Sequence, residues 1–166
     1  MVAVVMGVSG CGKTTVGKQV ASRLNLPFFD GDDFHPAANV ARMKAGIPLG
    51  DEERRPWLDI LAARIAEWNR TGGAILACSA LRESYRELLR GNQGTAVRFV
   101  HLHGPRELIA ERMARRTGHF MPVGLLESQY ATLEPPADAV SVSVALPRNE
   151  VVQRIVEALK EYYAAV

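Results

Sequence analysis

The chain has only two cysteines, Cys11 and Cys78, and neither stands at a metal-site spacing from other ligand-type residues. That excludes a disulfide framework and a zinc cluster, and it predicts two reduced thiols. No apolar run approaches the roughly 18 residues of a membrane span. The N-terminus also lacks the charged region and cleavage site of a secretory leader, so a cytoplasmic protein with no membrane partner is expected. Low-complexity tracts, fixed-period repeats and long blocks of one charge are absent as well, which argues against disorder and solenoids. A formal charge of +2 is too mild to suggest nucleic acid as a partner. With 166 residues the chain is too short for two ordinary domains, and residues 1–166 are read as one.

What is present begins with Gly7-Val8-Ser9-Gly10-Cys11-Gly12-Lys13-Thr14, the pattern GxxxxGK[ST] following the apolar run Val2 to Met6. This is a phosphate-binding loop: glycines let successive backbone N–H groups turn toward the β- and γ-phosphates, and the helix that follows adds its positive end. Lys13 neutralises phosphate charge in such a loop, and the Thr14 hydroxyl reaches Mg²⁺. A nucleoside triphosphate and Mg²⁺ are therefore the expected ligands.

Apolar runs bounded by turn signals recur at Val2 to Met6, Pro27 to Asp30, Ala74 to Cys78, Val97 to Leu102 and Ala139 to Val144. They read as five strands. Helical periodicity lies between them, at Val16, Val20 and Leu24, then at Trp57, Leu58, Leu61, Ile65 and Trp68. The last helix has Asn149 as N-cap and Val151, Val152, Ile155, Leu159 and Tyr162 as its buried stripe. Alternation of this kind predicts an α/β fold with a parallel sheet, helices on both faces, and ligands at the carboxyl ends of the strands. Two polar excursions interrupt the pattern, at about residues 31–51 and about 112–136. Small phosphotransferases need such segments to grip a second substrate and to expel water, so the first is assigned to substrate binding and the second to a lid.

Asp30, Asp32 and Asp33 crowd three carboxylates beside the predicted phosphate loop, which disfavours a core role without an offsetting cation. In an extended segment Asp30 and Asp32 point the same way. Asp30 is assigned to the Mg²⁺ environment through water, Asp32 to accepting the proton of an attacking hydroxyl, and Asp33 to that cluster or to capping the next helix. His35, held in a turn by Pro36, reads either as a hydrogen-bonding partner of a polyhydroxyl substrate or as an exposed loop histidine. Asp51 to Glu53 suit the first turn of a helix, whereas Arg54 does not, so Arg54 is a candidate anchor for an anionic substrate group.

Sixteen of the twenty basic residues are arginine, and eight of these lie between Arg82 and Arg116. Fork-shaped guanidinium groups suit an anionic ligand. Arg82 and Arg86, spaced i, i+4, point at one anion or form a solvated face. Arg112 and Arg116 are expected on one face of a helix ending at Gly118, where lid closure would bring positive charge to the transferring phosphoryl. Ser79 follows the third strand, which lacks the terminal Asp of many P-loop ATPases, so Thr14, Asp30 and water must complete the metal shell. No guanine-reading Asn-Lys-x-Asp is present either, which argues against a GTP-dependent switch.

These residues resemble the bacterial-type gluconokinases, small P-loop kinases related in fold to shikimate and nucleoside monophosphate kinases. The resemblance covers nearly the whole chain. It rests on GVSGCGKT, DGDDFHPxxN from Asp30 to Asn39, GxPL at Gly46 to Leu49, the acidic-Arg-x-Pro-Trp-Leu segment ending at Leu58, CSAL at Cys78 to Leu81 with Tyr85-Arg86, RxxGHF ending at Phe120, LLxSQ ending at Gln129, and Leu133-Glu134-x-Pro. It implies ATP-dependent phosphorylation of the 6-hydroxyl of D-gluconate, giving 6-phosphogluconate and ADP, by a homodimer. Gly7, Ser9, Gly10, Cys11, Gly12, Lys13, Thr14 and Thr15 would then hold phosphates and metal, with Arg112 and Arg116 closing over them. Lys13, Asp32 and Arg116 would carry catalysis, and His35, Arg54, Ser79, Arg82, Arg86 and His119 would contact substrate. Adenine is expected between Arg112 and about Leu146 to Arg148. Cys11, Gly50 and Arg82 depart from the residues common in the family; Arg82 keeps the charge but changes reach and fork geometry.

Overall fold

A computed structural model describes residues 1–116 and 123–166. Five parallel strands, β1 (Val2–Met6), β2 (Phe28–Asp30), β3 (Ala74–Ala77), β4 (Val97–His103) and β5 (Val140–Ser143), lie in the order β2-β3-β1-β4-β5. The expected strands are all present, within a residue or two at each end. Helices α1 (Lys13–Leu24), α2 (Ala37–Lys44), α3 (Asp51–Arg70), α4 (Glu83–Arg90), α5 (Arg106–Ala114), α6 (Val123–Thr132) and α7 (Arg148–Ala164) connect and cover the strands. Such a sheet is buried on both faces, which is why its central strands read as unbroken apolar runs.

The pleat divides the core. Ala3 and Val5 of β1 face one layer, where Val16 and Val20 of α1 meet Ile109 of α5 and Val152, Ile155 and Leu159 of α7. Val2, Val4 and Met6 face the other, against Trp57, Leu58, Leu61 and Ile65 of α3 and Leu89 of α4. Helices α1 and α7 pack side by side, as do α3 and α4. The result is a three-layer α/β/α sandwich.

Several local expectations are corrected. Helix α7 begins at Arg148 with Pro147 as N-cap, so Asn149 lies inside the first turn. Helix α5 ends at Ala114, which leaves Arg116 beyond it and sharing no helical face with Arg112. After Asp30 the chain does not stay extended but winds into a 3₁₀ turn at Gly31–Phe34. Asp30 itself caps that turn by accepting the Asp32 N–H at 3.0 Å, and Pro36 rather than Asp33 precedes α2. Within the second excursion, Thr117 to Pro122, including Gly118, His119 and Phe120, lie outside the described residues. No helix among the described residues is long and apolar enough to cross a membrane.

The first excursion is tied to the core by one buried bond, in which Trp57 Nε1 donates to the Gly31 carbonyl at 2.8 Å. Replacing Trp57 with Phe keeps most of the packing and orphans that carbonyl. We expect Trp57→Phe to lower stability by about 1–3 kcal/mol, read as a shift of the urea midpoint at constant m-value.

Candidate active site

The loops after β1, β2 and β3 converge at the carboxyl edge of the sheet, where strand order changes direction around β1. Gly12 caps α1 with φ 95° and without any side-chain bond. The first helical bond runs from Val16 N–H to the Gly12 carbonyl at 2.9 Å. The N–H groups of Lys13, Thr14 and Thr15 thus lie in a first turn without intrahelical acceptors, an arrangement that suits an anion. Gly10 has φ 81°, and a Cβ there would stand 2.3 Å from Met113 Cγ. The last turn of α5, with exposed Arg112, therefore borders the loop. Cys11 turns its side chain into the core, and its N–H donates to the Val8 carbonyl.

Lys13 Nζ donates to the carbonyls of Gly7 and Val8 at 3.0 and 3.1 Å. One residue on, Thr14 Oγ1 donates to Asp30 Oδ2 at 3.1 Å, joining the loop to the end of β2. A hydroxyl beside a carboxylate is a hard oxygen pair of the kind Mg²⁺ accepts while keeping most of its waters. Among the described residues no cluster of three or more His, Cys, Asp or Glu side chains could hold an ion alone.

The Asp32 side chain is 83 % exposed. Even so, the surrounding walls partly desolvate its carboxyl, and this is the largest influence raising its pKa above the ordinary 3.8. Asp30 and, less strongly, Asp33 add like charge, while Lys13 opposes them. His35, with a side chain only 4 % exposed, stacks on Trp57 at 4.2 Å. Desolvation first, then the nearby Arg54 charge, lowers its pKa below 6.5 and keeps it neutral at pH 7.

Asn39 Nδ2 donates to the Glu53 carbonyl at 2.8 Å and lies 3.2 Å from His35 Nδ1. Because a carbonyl only accepts, Asn39 must present its NH₂ here, so His35 Nδ1 is the acceptor and Nε2 carries the proton. That N–H faces Asp32 Oδ1 at 3.8 Å. His35 is thus neither a free loop residue nor an isolated contact; it is fixed beside the proposed base.

Arg54 projects from the first turn of α3, where Gly50 N–H donates to Glu53 Oε2, one half of a capping box. Its guanidinium lies 5.6 Å from the Tyr85 ring centroid and donates to Tyr85 Oη at 3.2 Å, while Tyr85 donates to Asp51 Oδ1 at 2.5 Å. Arg82 reaches the same Asp51 at 3.7 Å. The arrangement holds Arg54 and Arg82 about one carboxylate. Ser79 follows β3, and its carbonyl accepts the Gly7 N–H at 3.3 Å. Close by, burial pushes the Cys78 thiol up to about 12.

Arg86 is corrected from substrate contact to internal support. Its side chain is 1 % exposed. Its N–H groups donate to the Ala80, Leu81 and Glu134 carbonyls, and Nε and Nη2 both donate to Glu83 Oε2. Every guanidinium donor is used. It braces the loop in which Ala80 adopts φ 45°, a left-handed conformation that only such support makes tolerable in a residue with a Cβ.

Three contributions went unassigned in the sequence although their motifs were visible. Asn39 closes the DGDDFHPxxN block, Tyr85 precedes Arg86, and Gln129 ends LLxSQ. Gln129 Oε1 accepts the Ser9 N–H at 2.6 Å, and its Nε2 donates to Ser9 Oγ at 3.0 Å.

A family model described as shikimate kinase matches residues 9–160. The gluconokinase of Gluconobacter oxydans (strain 621H) is 52% identical over 136 residues, covering 81% of this chain and 76% of that protein. The chain belongs to the gluconokinase branch of the shikimate kinase family. Among gluconokinases, the thermosensitive protein of Escherichia coli (strain K12) is 42% identical over 166 residues, 98% of this chain and 87% of its own. The crystal structure of a gluconokinase from Sinorhizobium meliloti 1021 superposes with a TM-score of 0.87 at 43% identity, covering 96% of this chain and 91% of that one. The gluconokinase fold thus extends over the whole described sheet and its helices.

Removing the buried Arg86 guanidinium strands three carbonyls and Glu83. Arg86→Ala is expected to cost about 3–5 kcal/mol, and Arg86→Lys to recover only part of it, because an ammonium cannot reproduce the fork. Arg82→Ala, which loses an exposed 3.7 Å pair, is expected to cost less than about 1 kcal/mol. Denaturant unfolding of the three variants distinguishes the two roles.

Proposed function

We propose that the protein transfers the γ-phosphoryl of ATP to the 6-hydroxyl of D-gluconate, yielding 6-phospho-D-gluconate and ADP. The observation that carries this reading is the meeting at one sheet edge of the uncapped phosphate loop, the Asp30-Asp32 pair and Arg54, in a chain whose relatives are gluconokinases.

The backbone N–H groups of Gly10 to Thr15, apart from that of Cys11, and the Lys13 ammonium bind the phosphates. Thr14 and, through water, Asp30 would hold Mg²⁺, which would neutralise phosphate charge there. Arg54 pairs with the gluconate carboxylate, its fork steadied by Tyr85, and Arg82 and Ser79 serve the carboxylate and hydroxyls. Asp32 takes the proton of the 6-hydroxyl as that oxygen bonds to the γ-phosphorus, and the β,γ-bridging oxygen departs with ADP. His35 Nε2–H faces the Asp32 carboxylate and orients it. Arg112 and Arg116 supply further positive charge from the α5 side, which stabilises negative charge spread over the transferring group. The raised Asp32 pKa makes it a stronger base than an ordinary carboxylate.

A coupled ADP-release assay across gluconate, other sugar acids, shikimate and nucleoside monophosphates tests the assignment. Turnover with gluconate is expected. Turnover with shikimate or a nucleoside monophosphate and none with gluconate would move the chain to a neighbouring kinase activity.

Asp32→Asn should lower kcat by about 10²–10⁴-fold with nucleotide affinity nearly unchanged. Because the base is active only when ionised, wild-type kcat/KM should fall as pH drops through the Asp32 pKa. That acid limb should lie above pH 3.8. Retained turnover in the variant would remove Asp32 from the role.

A further inference from the structure

Helix α6 reaches across 120 residues of sequence to place one side chain on the phosphate loop. Gln129 engages Ser9 twice, and the chemistry of the partners fixes the amide's orientation. A backbone N–H can only donate, so Oε1 must face Ser9 N, and the NH₂ then faces Ser9 Oγ at 3.0 Å. This assigns Ser9's own hydrogen-bonding capacity. Its N–H is taken at 2.6 Å and one oxygen lone pair accepts from Gln129. What remains free is the hydroxyl hydrogen and one lone pair, and only the hydrogen can engage a phosphate oxygen.

Ser9 also has a defined place along a bound triphosphate. The N–H groups at the start of α1 lie at the β-phosphate end, and the loop lysine reaches the β/γ junction. Lys13 Nζ rests on the carbonyls of Gly7 and Val8, the two residues preceding Ser9. Ser9 therefore stands on the limb of the loop nearest the terminal phosphate, not on the limb formed by the helix.

We propose that Gln129 is a positioning residue for phosphoryl transfer: by taking the Ser9 N–H and donating to the Ser9 hydroxyl oxygen, it leaves the hydroxyl hydrogen as a donor aimed at the γ-phosphate. The inference rests on the kinase reading of the loop and deepens it, because it makes the loop sensitive to the terminal phosphate. A diphosphate does not extend to Ser9. The device therefore favours ATP over ADP, the direction a forward kinase requires when product must leave.

The test uses the full-length protein with Mg²⁺ and compares wild type, Gln129→Ala, Ser9→Ala and the double variant. Calorimetric affinities are measured for ADP and for a non-hydrolysable ATP analogue, and initial rates are measured with ATP and gluconate. Gln129→Ala should weaken the triphosphate analogue roughly tenfold, the scale of one lost hydrogen bond, and leave ADP affinity within about twofold. It should lower kcat and leave the KM for gluconate unchanged. Ser9→Ala should show the same discrimination, and the double variant should be no worse than the more affected single one.

Equal loss of both nucleotides would mean that Gln129 merely supports the loop, and full additivity with Ser9→Ala would mean that it does not act through Ser9. Either outcome overturns the proposal, as does unchanged affinity for both nucleotides. Gln129→Glu, which keeps the acceptor for the Ser9 N–H and removes the donor to its hydroxyl, separates these outcomes from misfolding; triphosphate-selective weakening is expected there too. Because the affinities need no acceptor substrate, absence of gluconate turnover in wild type would refute the proposed reaction and leave the nucleotide comparison readable.

Discussion

The structure depends on a helix that is left open at its positive end. Gly12 provides no capping side chain for α1, so the N–H groups of Lys13, Thr14 and Thr15 are unpaired within the helix. With glycine at the cap, the helix forgoes only a few tenths of a kcal/mol relative to a good capping side chain. In exchange it keeps a set of donors and a positive dipole end for an anion. The rest of the site answers that constraint. Three carboxylates stand close by, and any of them at the helix end would occupy the donors meant for phosphate. The fold prevents this by spending Asp30 twice, on the Thr14 hydroxyl and on the Asp32 N–H. Asp32 is left facing the cleft, where desolvation and then crowding with Asp30 raise its basicity.

Arginine does several jobs here, and burial separates them. Arg86 is closed inside the protein, where it organises carbonyls of two loops and has no donor left for a ligand. Arg54 is held by an aromatic face and a phenol oxygen, which fix its direction without neutralising it. Tyr85 comes from α4, whereas Arg54 and the Asp51 that accepts the Tyr85 hydroxyl come from α3, so this proposed anion anchor spans the junction of the two helices. Arg112 remains exposed on the helix whose Met113 abuts Gly10. Charge alone would not have sorted these residues. Their donors had to be followed to their acceptors.

The sheet was legible because each strand is a short apolar run bounded by turn residues, and because the Ala3/Val5 and Val2/Val4/Met6 faces are both buried. The phosphate loop and its Asp partner were legible for a different reason: glycine, lysine and carboxylate spacing reflects chemistry that few sequences satisfy by chance. Legibility failed where long side chains choose between inside and outside. Arg82 and Arg86 share a spacing, yet one caps α4 in the open and the other is buried, because carbonyls of Ala80, Leu81 and Glu134 converge on only the second. It failed also where a helix stops early. The spacing of Arg112 and Arg116 implies a common face only if the helix continues, and α5 ends between them. The side-chain pairings of Asn39 with His35 and of Gln129 with Ser9 join elements whose proximity only the fold creates.

The segment from Gln129 to Glu134 links the two sides of the reaction. At one end Gln129 holds Ser9 of the phosphate loop. At the other, Glu134 N–H donates to the Leu81 carbonyl, its carboxylate accepts the Glu83 N–H at the start of α4, and its carbonyl accepts from Arg86. A Leu133 N–H bond to the Gln129 carbonyl at 2.9 Å closes the turn between them. Independently, Gly7 N–H donates to the Ser79 carbonyl. The donor loop and the Ser79–Arg82 loop are therefore joined by a direct bond and by a strap bonded at both ends. Two separate ties resist relative displacement better than either alone, because breaking one leaves the other in place. Phosphoryl transfer depends on holding two reactants at fixed separation and alignment. The strap supplies that rigidity from a part of the chain whose bonds involve none of Asp32, Thr14 and Asp30.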